Sequence, residues 1–228
     1  LSRVAPIMAR RPNSSGSQKP TRVVELAIGE MGAGGDGVAA GPVFVPFTLA
    51  GEQVEARVQG DRGDLLRVIQ PSAERVEPPC PHFGSCGGCA LQHWDHAAYL
   101  PWKVDQLRRL LERAGLEAEF LAPHTSGPGS RRRVALHARR GTRDAARLGF
   151  KTRRSWDLVE IGVCPIADPR IQVALSGLRR LAAPLFEHPK SAPSLHVTAT
   201  DTGLDIDITG VERKSGGLSG DARQRIAE

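Results

Sequence analysis

The chain has 228 residues, 40% apolar and 25% charged, which fits one large or two small water-soluble domains. No apolar run approaches the roughly 18 residues of a membrane helix, so a helical span is excluded. The net charge of +6 is concentrated: residues 130–156 hold ten Arg and Lys against Asp144 alone, which leaves the remainder net acidic. A basic stripe on a mildly acidic body points to a polyanionic partner. Aromatic residues, at 4%, are too few for a surface paved with stacking rings.

Residues 1–20 are polar and rich in Ser, Arg and Pro, and read as a disordered tail. Met8 looks like the more natural start, with residues 1–7 an upstream extension. Residues 22–70 alternate short apolar segments (Val23–Ile28, Val43–Pro46, Val54–Gln59, Asp64–Ile69) with glycine turns, the pattern of a small β-barrel or sandwich. Pro71–Pro79 reads as a linker. A helix is predicted from about Trp102 to Ala114, with Val104, Leu107, Leu111 and Ala114 on one face and Gly115 at its C-terminal cap. Basic strands follow over 131–161: Val134 and Leu136 in alternation, then Leu148–Phe150, then Trp156–Ile161. Asp168 and Pro169 open a second helix running to about Phe186. Leu195/Val197/Ala199 and Leu204/Ile206/Ile208 alternate around Asp201-Thr202-Gly203 as a hairpin. Lys214–Glu228 is polar and closes no obvious unit.

Gly32-Ala33-Gly34-Gly35-Asp36-Gly37 matches G-x-G-x-x-G, but a dinucleotide site must open a helix there. Val38–Pro46 has no helical period, so a glycine turn between strands is the better reading. The seven histidines show no ligand spacing.

The cysteines carry the strongest signal. No apolar leader segment precedes them, so a reducing compartment is expected, where clustered cysteines hold metal more often than they pair. Cys80, Cys86 and Cys89 have the spacing C-x5-C-x2-C, and Cys164 follows after 74 intervening residues; Cys80 and Cys164 each precede Pro. Zinc, a 4Fe–4S cluster, and unrelated buried or paired cysteines all remain open on spacing. Three clustered ligands with a remote fourth are closer to cubane-cluster usage. In the stripe, Arg131, Arg132, Arg133, Arg139, Arg140, Lys151, Arg153 and Arg154 are the candidate residues for binding a nucleic-acid phosphate backbone, with Arg131 and Arg133 placed to share one face of a strand.

Residues 80–94 (Cys-Pro-His-Phe-Gly-Ser-Cys-Gly-Gly-Cys-Ala-Leu-Gln-His-Trp) resemble the cluster loop of the S-adenosylmethionine-dependent RNA (uracil-5-)-methyltransferase family, bacterial 23S ribosomal RNA type. Trp102-Lys103, Ser130–Arg133, Leu148-Gly149-Phe150 and Cys164-Pro165-Ile166 resemble it too. Val43–Pro46 with Gly51-Glu52 resembles a TRAM domain, although Phe47 stands where similar sequences usually have Gly. The resemblance implies a β-rich α+β chain: a disordered tail (1–20), a five-stranded OB-like TRAM barrel (21–74), and an α+β iron–sulfur and RNA-binding domain (75–228). It also implies a 4Fe–4S cluster on Cys80, Cys86, Cys89 and Cys164.

The family methylates carbon 5 of a uridine. A cysteine adds to carbon 6, and a carboxylate later removes the carbon-5 proton. With all four cysteines matched to cluster ligands, no catalytic residue is assigned in this chain, and the Rossmann-like domain that holds S-adenosylmethionine is expected to be missing. The chain then reads as the RNA-recognition half of such an enzyme, inactive alone, cytoplasmic and monomeric. The alternative is a free-standing RNA-binding iron–sulfur module.

Overall fold

The computed structural model describes residues 20–212 and 217–227. It divides into two compact units, Leu1–Gly84 with Cys89–His124, and Ser85–Gly88 with Thr125–Glu228. This differs from a boundary at 74/75, because the first helix groups with the barrel. Among the described residues no helix is long and apolar enough to cross a membrane.

In the first unit, β1 (Thr21–Met31), β2 (Gly37–Ala39), β3 (Val43–Val45), β4 (Gln53–Gln59) and β5 (Arg62–Gln70) close a barrel in the order β1-β2-β3-β5-β4. Only β3 and β5 pair in parallel, at Phe44 and Arg62. Strand β4 shows the driving pattern: Val54, Ala56 and Val58 point inward to Ile28, Ala39, Val43 and Val45, while Gln53, Arg57 and Gln59 face out. The G-x-G-x-x-G run is the β1–β2 hairpin loop, closed by Gly32 N–H to Asp36 C=O and Gly35 N–H to Gly32 C=O. A Cβ on Gly37 would stand 2.1 Å from Thr48 Oγ1 and 2.6 Å from Ile28 Cγ2, so that glycine answers to barrel packing and to no cofactor.

Helix α1 (His96–Arg113) is capped by the Asp95 carboxylate, which accepts from Ala97 N–H at 2.8 Å. It begins six residues before the predicted start, because Pro101 sits inside it and forgoes its bond to Ala97 C=O. The predicted apolar face is not buried: α1 has no fully buried residue, and Leu107 is 49% exposed. Its contact is at the N-terminal end, where Tyr99 and Trp102 stack around Trp94 beside Met31 and Leu49. Gly115 takes a left-handed conformation just past the helix, as predicted.

The second unit is an antiparallel sheet in the order β10-β9-β6-β7-β8. Its strands are β6 (Arg133–Arg139), β7 (Arg147–Lys151), β8 (Leu158–Glu160), β9 (Ser194–Ala199) and β10 (Leu204–Thr209). Helix α2 (Pro169–Ala182), opened by Asp168 and Pro169 as predicted, buries Ile171, Leu175, Leu178 and Ala182 against Val134, Leu136, Ala138, Leu148, Leu195 and Val197. A 3-10 turn (Ala183–Phe186) follows, since Pro184 cannot donate to continue the α pattern.

Two expectations are corrected here. Trp156 and Asp157 lie in the turn before β8, closed by Thr152 N–H to Asp157 C=O, and are not part of that strand. The polar C-terminal stretch contains α3 (Gly220–Ala227), which docks through buried Ala222, through Ser219 N–H to Glu187 Oε2 at 2.8 Å, and through Arg225 to Arg143 C=O at 2.9 Å. Residues 1–19, which hold most of the predicted tail, lie outside the described residues.

Candidate functional site

Strand alternation sets the open face of the second unit's sheet. Because Val134, Leu136 and Ala138 face α2, Arg133, Ala135, His137 and Arg139 face away from it. The register sets Arg133 opposite Thr198, Ala135 opposite His196 and His137 opposite Ser194, with Asp205, Asp207 and Thr209 one strand further. On the other side Arg139 lies opposite Arg147, and Lys151 opposite Leu158. The face therefore runs from acidic at β10 to basic at β6 and β7. His137 Nδ1 stands 2.8 Å from Ser194 Oγ. Burial first, then Lys151 and Arg139, hold His137 below the ordinary imidazole pKa.

The stripe is not uniform. Arg131, Arg132 and Arg133 are exposed. Arg131 lies outside β6: its backbone bridges Ala167 and bonds Ile166 C=O, so it does not share a strand face with Arg133 as expected. Arg140 is exposed, and its guanidinium lies 5.6 Å over the Phe186 ring and donates to Phe186 C=O. Arg147 and Arg179 both pair with Glu160. Arg139 donates to the carbonyls of Ala138 and Trp156. Arg153 and Arg154 lie in the β7–β8 turn, Arg154 with φ 57°.

The middle of the cysteine loop belongs to this unit. Cys86 bridges Thr152 in antiparallel fashion, and Gly87 N–H donates to Lys151 C=O at 2.9 Å. A Cβ on Gly87 would meet Lys151 O at 2.8 Å and Arg153 N at 2.9 Å, so only glycine lets the backbones approach. Ser85–Gly88 is thus an added rung beside the basic turn.

All four cysteines are half-buried, and none of them forms a disulfide. Cys80 and Cys89 fall in the first unit, Cys86 and Cys164 in the second. Gly88 N–H points at Cys86 Sγ at 3.4 Å, and Cys164 N–H donates to Gln172 Oε1. Four cysteine sulfurs are the donor set a 4Fe–4S cluster uses, so the residues fit the group in kind. Among the described residues no group of three His, Cys, Asp or Glu side chains is drawn together as a metal set.

No local motif marks the buried network of the first unit. Glu52 is fully buried and accepts from Arg75 Nε at 2.6 Å, Arg75 Nη2 at 2.8 Å, Leu49 N–H at 2.8 Å and Ser72 N–H at 3.2 Å. Burial alone would raise its pKa, but the bonds from Arg75 and Leu49 outweigh it and hold the carboxylate below its usual range. Arg75 also donates to the carbonyl of Phe47, at 2.8 Å. Phe47 has φ 64°, the left-handed conformation glycine normally takes, and packs edge-on against Phe83.

His93, fully buried beside Phe83, has no hydrogen bond of good geometry at either ring nitrogen. Burial, then Arg75, lowers its pKa from 6.5 to about 4. Between those values the unfolded chain binds the extra proton. The stability due to neutral His93 is full above pH 6.5 and falls as pH drops toward 4, by about 3 kcal/mol in total. Urea denaturation across that window should show the loss, and His93→Leu should flatten it; a flat wild-type profile would contradict the assignment.

Sequence comparison adds relatives. Over 208 residues the chain is 59% identical to a Caulobacter vibrioides protein named an uncharacterized RNA methyltransferase, covering 89% of this chain and 50% of that protein. A Rhizobium meliloti protein of the same description is 42% identical over 198 residues, covering 82% and 47%. The 23S rRNA (uracil(1939)-C(5))-methyltransferase RlmD of Acidithiobacillus ferrooxidans is 36% identical over 204 residues, covering 86% and 46%. No family model matches the chain. The chain spans about half the length of these curated relatives, which are RNA methyltransferases by name and include a 23S rRNA uracil-C5 enzyme.

Proposed function

We propose that this chain is the RNA-recognition half of an S-adenosylmethionine-dependent methyltransferase acting on carbon 5 of a uridine in 23S ribosomal RNA. The observation that carries the reading is the uncovered basic face of the second unit's sheet, Arg133 and Arg139 on β6 and Lys151 on β7, in a chain similar to RNA methyltransferases over half their length. Exposed Arg131 and Arg132 extend the cationic surface, and phosphate contacts of this kind orient an RNA without reading its bases. The barrel is assigned as a TRAM domain.

Cys80, Cys86, Cys89 and Cys164 are assigned as ligands of a 4Fe–4S cluster, which would supply a structural cross-link. This chain's own residues orient that link: Gly87 seats Cys86 on the Lys151–Arg153 backbone, and Gln172 fixes the Cys164 amide. The nucleophile, the base and the methyl-donor site are assigned to the part of the enzyme outside this sequence.

A transcript of 23S rRNA should be retained on a filter by the chain, and no radiolabel should pass to it from S-adenosylmethionine. Absence of retention would remove the RNA reading. Methyl incorporation would overturn the division of labour.

A further inference from the structure

We propose that Trp156 is a stacking platform for one unpaired nucleobase of the bound RNA. The proposal rests on the RNA-binding reading and gives it a base-contacting residue. Trp156 is 76% exposed, so its ring is accessible to a ligand beside the cations of the stripe. Its turn is fixed by Thr152 N–H to Asp157 C=O at 2.9 Å, Ser155 Oγ–H to Asp157 Oδ2 at 2.8 Å and Asp157 N–H to Ser155 Oγ at 3.1 Å. Arg139 Nη2 holds the Trp156 carbonyl at 3.1 Å. The Lys151 ammonium lies 3.7 Å from the ring centroid, which steadies one face of the indole and leaves the other for a ligand.

The occupant follows from charge. Lys151 and Arg139 touch this residue. An apolar protein surface laid over the ring would desolvate these two cations and bring them no anion, at a high cost. A nucleotide brings both needed parts, a π-face for the ring and a phosphate for the cations.

The test uses fluorescence anisotropy of a fluorescein-labelled oligouridine of about ten nucleotides at several salt concentrations, with tryptophan emission read on the unlabelled oligomer. Trp156→Ala should weaken binding by about 5- to 150-fold and leave the salt slope at its wild-type value, because stacking releases no counterion. Trp156→Phe keeps the ring face and should recover most of the affinity. The oligomer should quench wild-type emission but not that of Trp156→Phe, in which Trp94 and Trp102 remain.

Wild-type affinity in Trp156→Ala would overturn the stacking role and leave the RNA reading standing. So would a flattened salt slope, which would mean that Trp156 acts only by placing Lys151, or binding of the 23S transcript without the oligouridine. If the wild type binds neither RNA, both readings fail together.

Discussion

Arg75→Met is expected to destabilise the first unit by about 3–5 kcal/mol, which lowers the melting temperature by roughly 6–20 °C. Glu52 is fully buried, and Arg75 supplies two of its four hydrogen bonds and all of its compensating charge. Without Arg75 the carboxylate keeps only the Leu49 and Ser72 amides. Phe47 also loses the donor on its carbonyl while keeping its unfavourable left-handed backbone. The double substitution Glu52→Gln with Arg75→Met should cost less than Arg75→Met alone, because no buried charge is then left unpaired. Thermal melts of the three variants at pH 7 decide it. A melting temperature for Arg75→Met within about 2 °C of wild type would contradict the account.

Cys164→Ser is expected to have a comparable effect by a different route. Under the cluster assignment, anaerobically purified wild type contains about four iron and four sulfide per chain, and the variant loses most of both. Cluster binding is folding energy, so the variant should melt about 10 °C or more below wild type. The damage should spread to the basic turn, because Cys86 pairs with Thr152 and Gly87 bonds Lys151. Amide exchange at Lys151 and Thr152 should therefore rise with the loss of iron. Wild type that carries stoichiometric zinc and no iron or sulfide would contradict the assignment.

How far the fold was legible depends on the length of each signal. The barrel was readable from the alternation of Val54, Ala56 and Val58 between glycine turns. Strand β2 was not, because its three residues, Gly37–Ala39, are too few to show a period. Pro101 concealed the first turns of α1, although Asp95 was a visible N-cap signal. Helix α3 contributes a single fully buried residue, Ala222, so no apolar stripe marked it.

The candidate site shows the same division. Phase along β6 correctly separates Val134 and Leu136 from Arg133 and His137. A count of charges could not show that Arg140 turns back over Phe186, because that contact spans 46 residues. Trp156 was assigned to a strand, though Ser155 and Asp157 on either side are turn formers and could have placed it in a turn. The Glu52, Arg75 and His93 network joins residues far apart in sequence, and nothing local announces it.

The most direct test of the account is the salt dependence of binding to a 23S rRNA transcript, measured for wild type and for Arg131→Ala combined with Arg133→Ala, with a thermal melt of each. Engaging about five of the exposed cations gives a wild-type slope of log affinity against log salt near −4, at roughly −0.7 to −0.9 per phosphate. The double variant should melt like wild type, bind all folded RNAs more weakly, and show a slope flatter by about 1 to 2. An unchanged slope with a lowered melting temperature would mean that Arg131 and Arg133 serve the fold, and would contradict the assignment of this face to RNA.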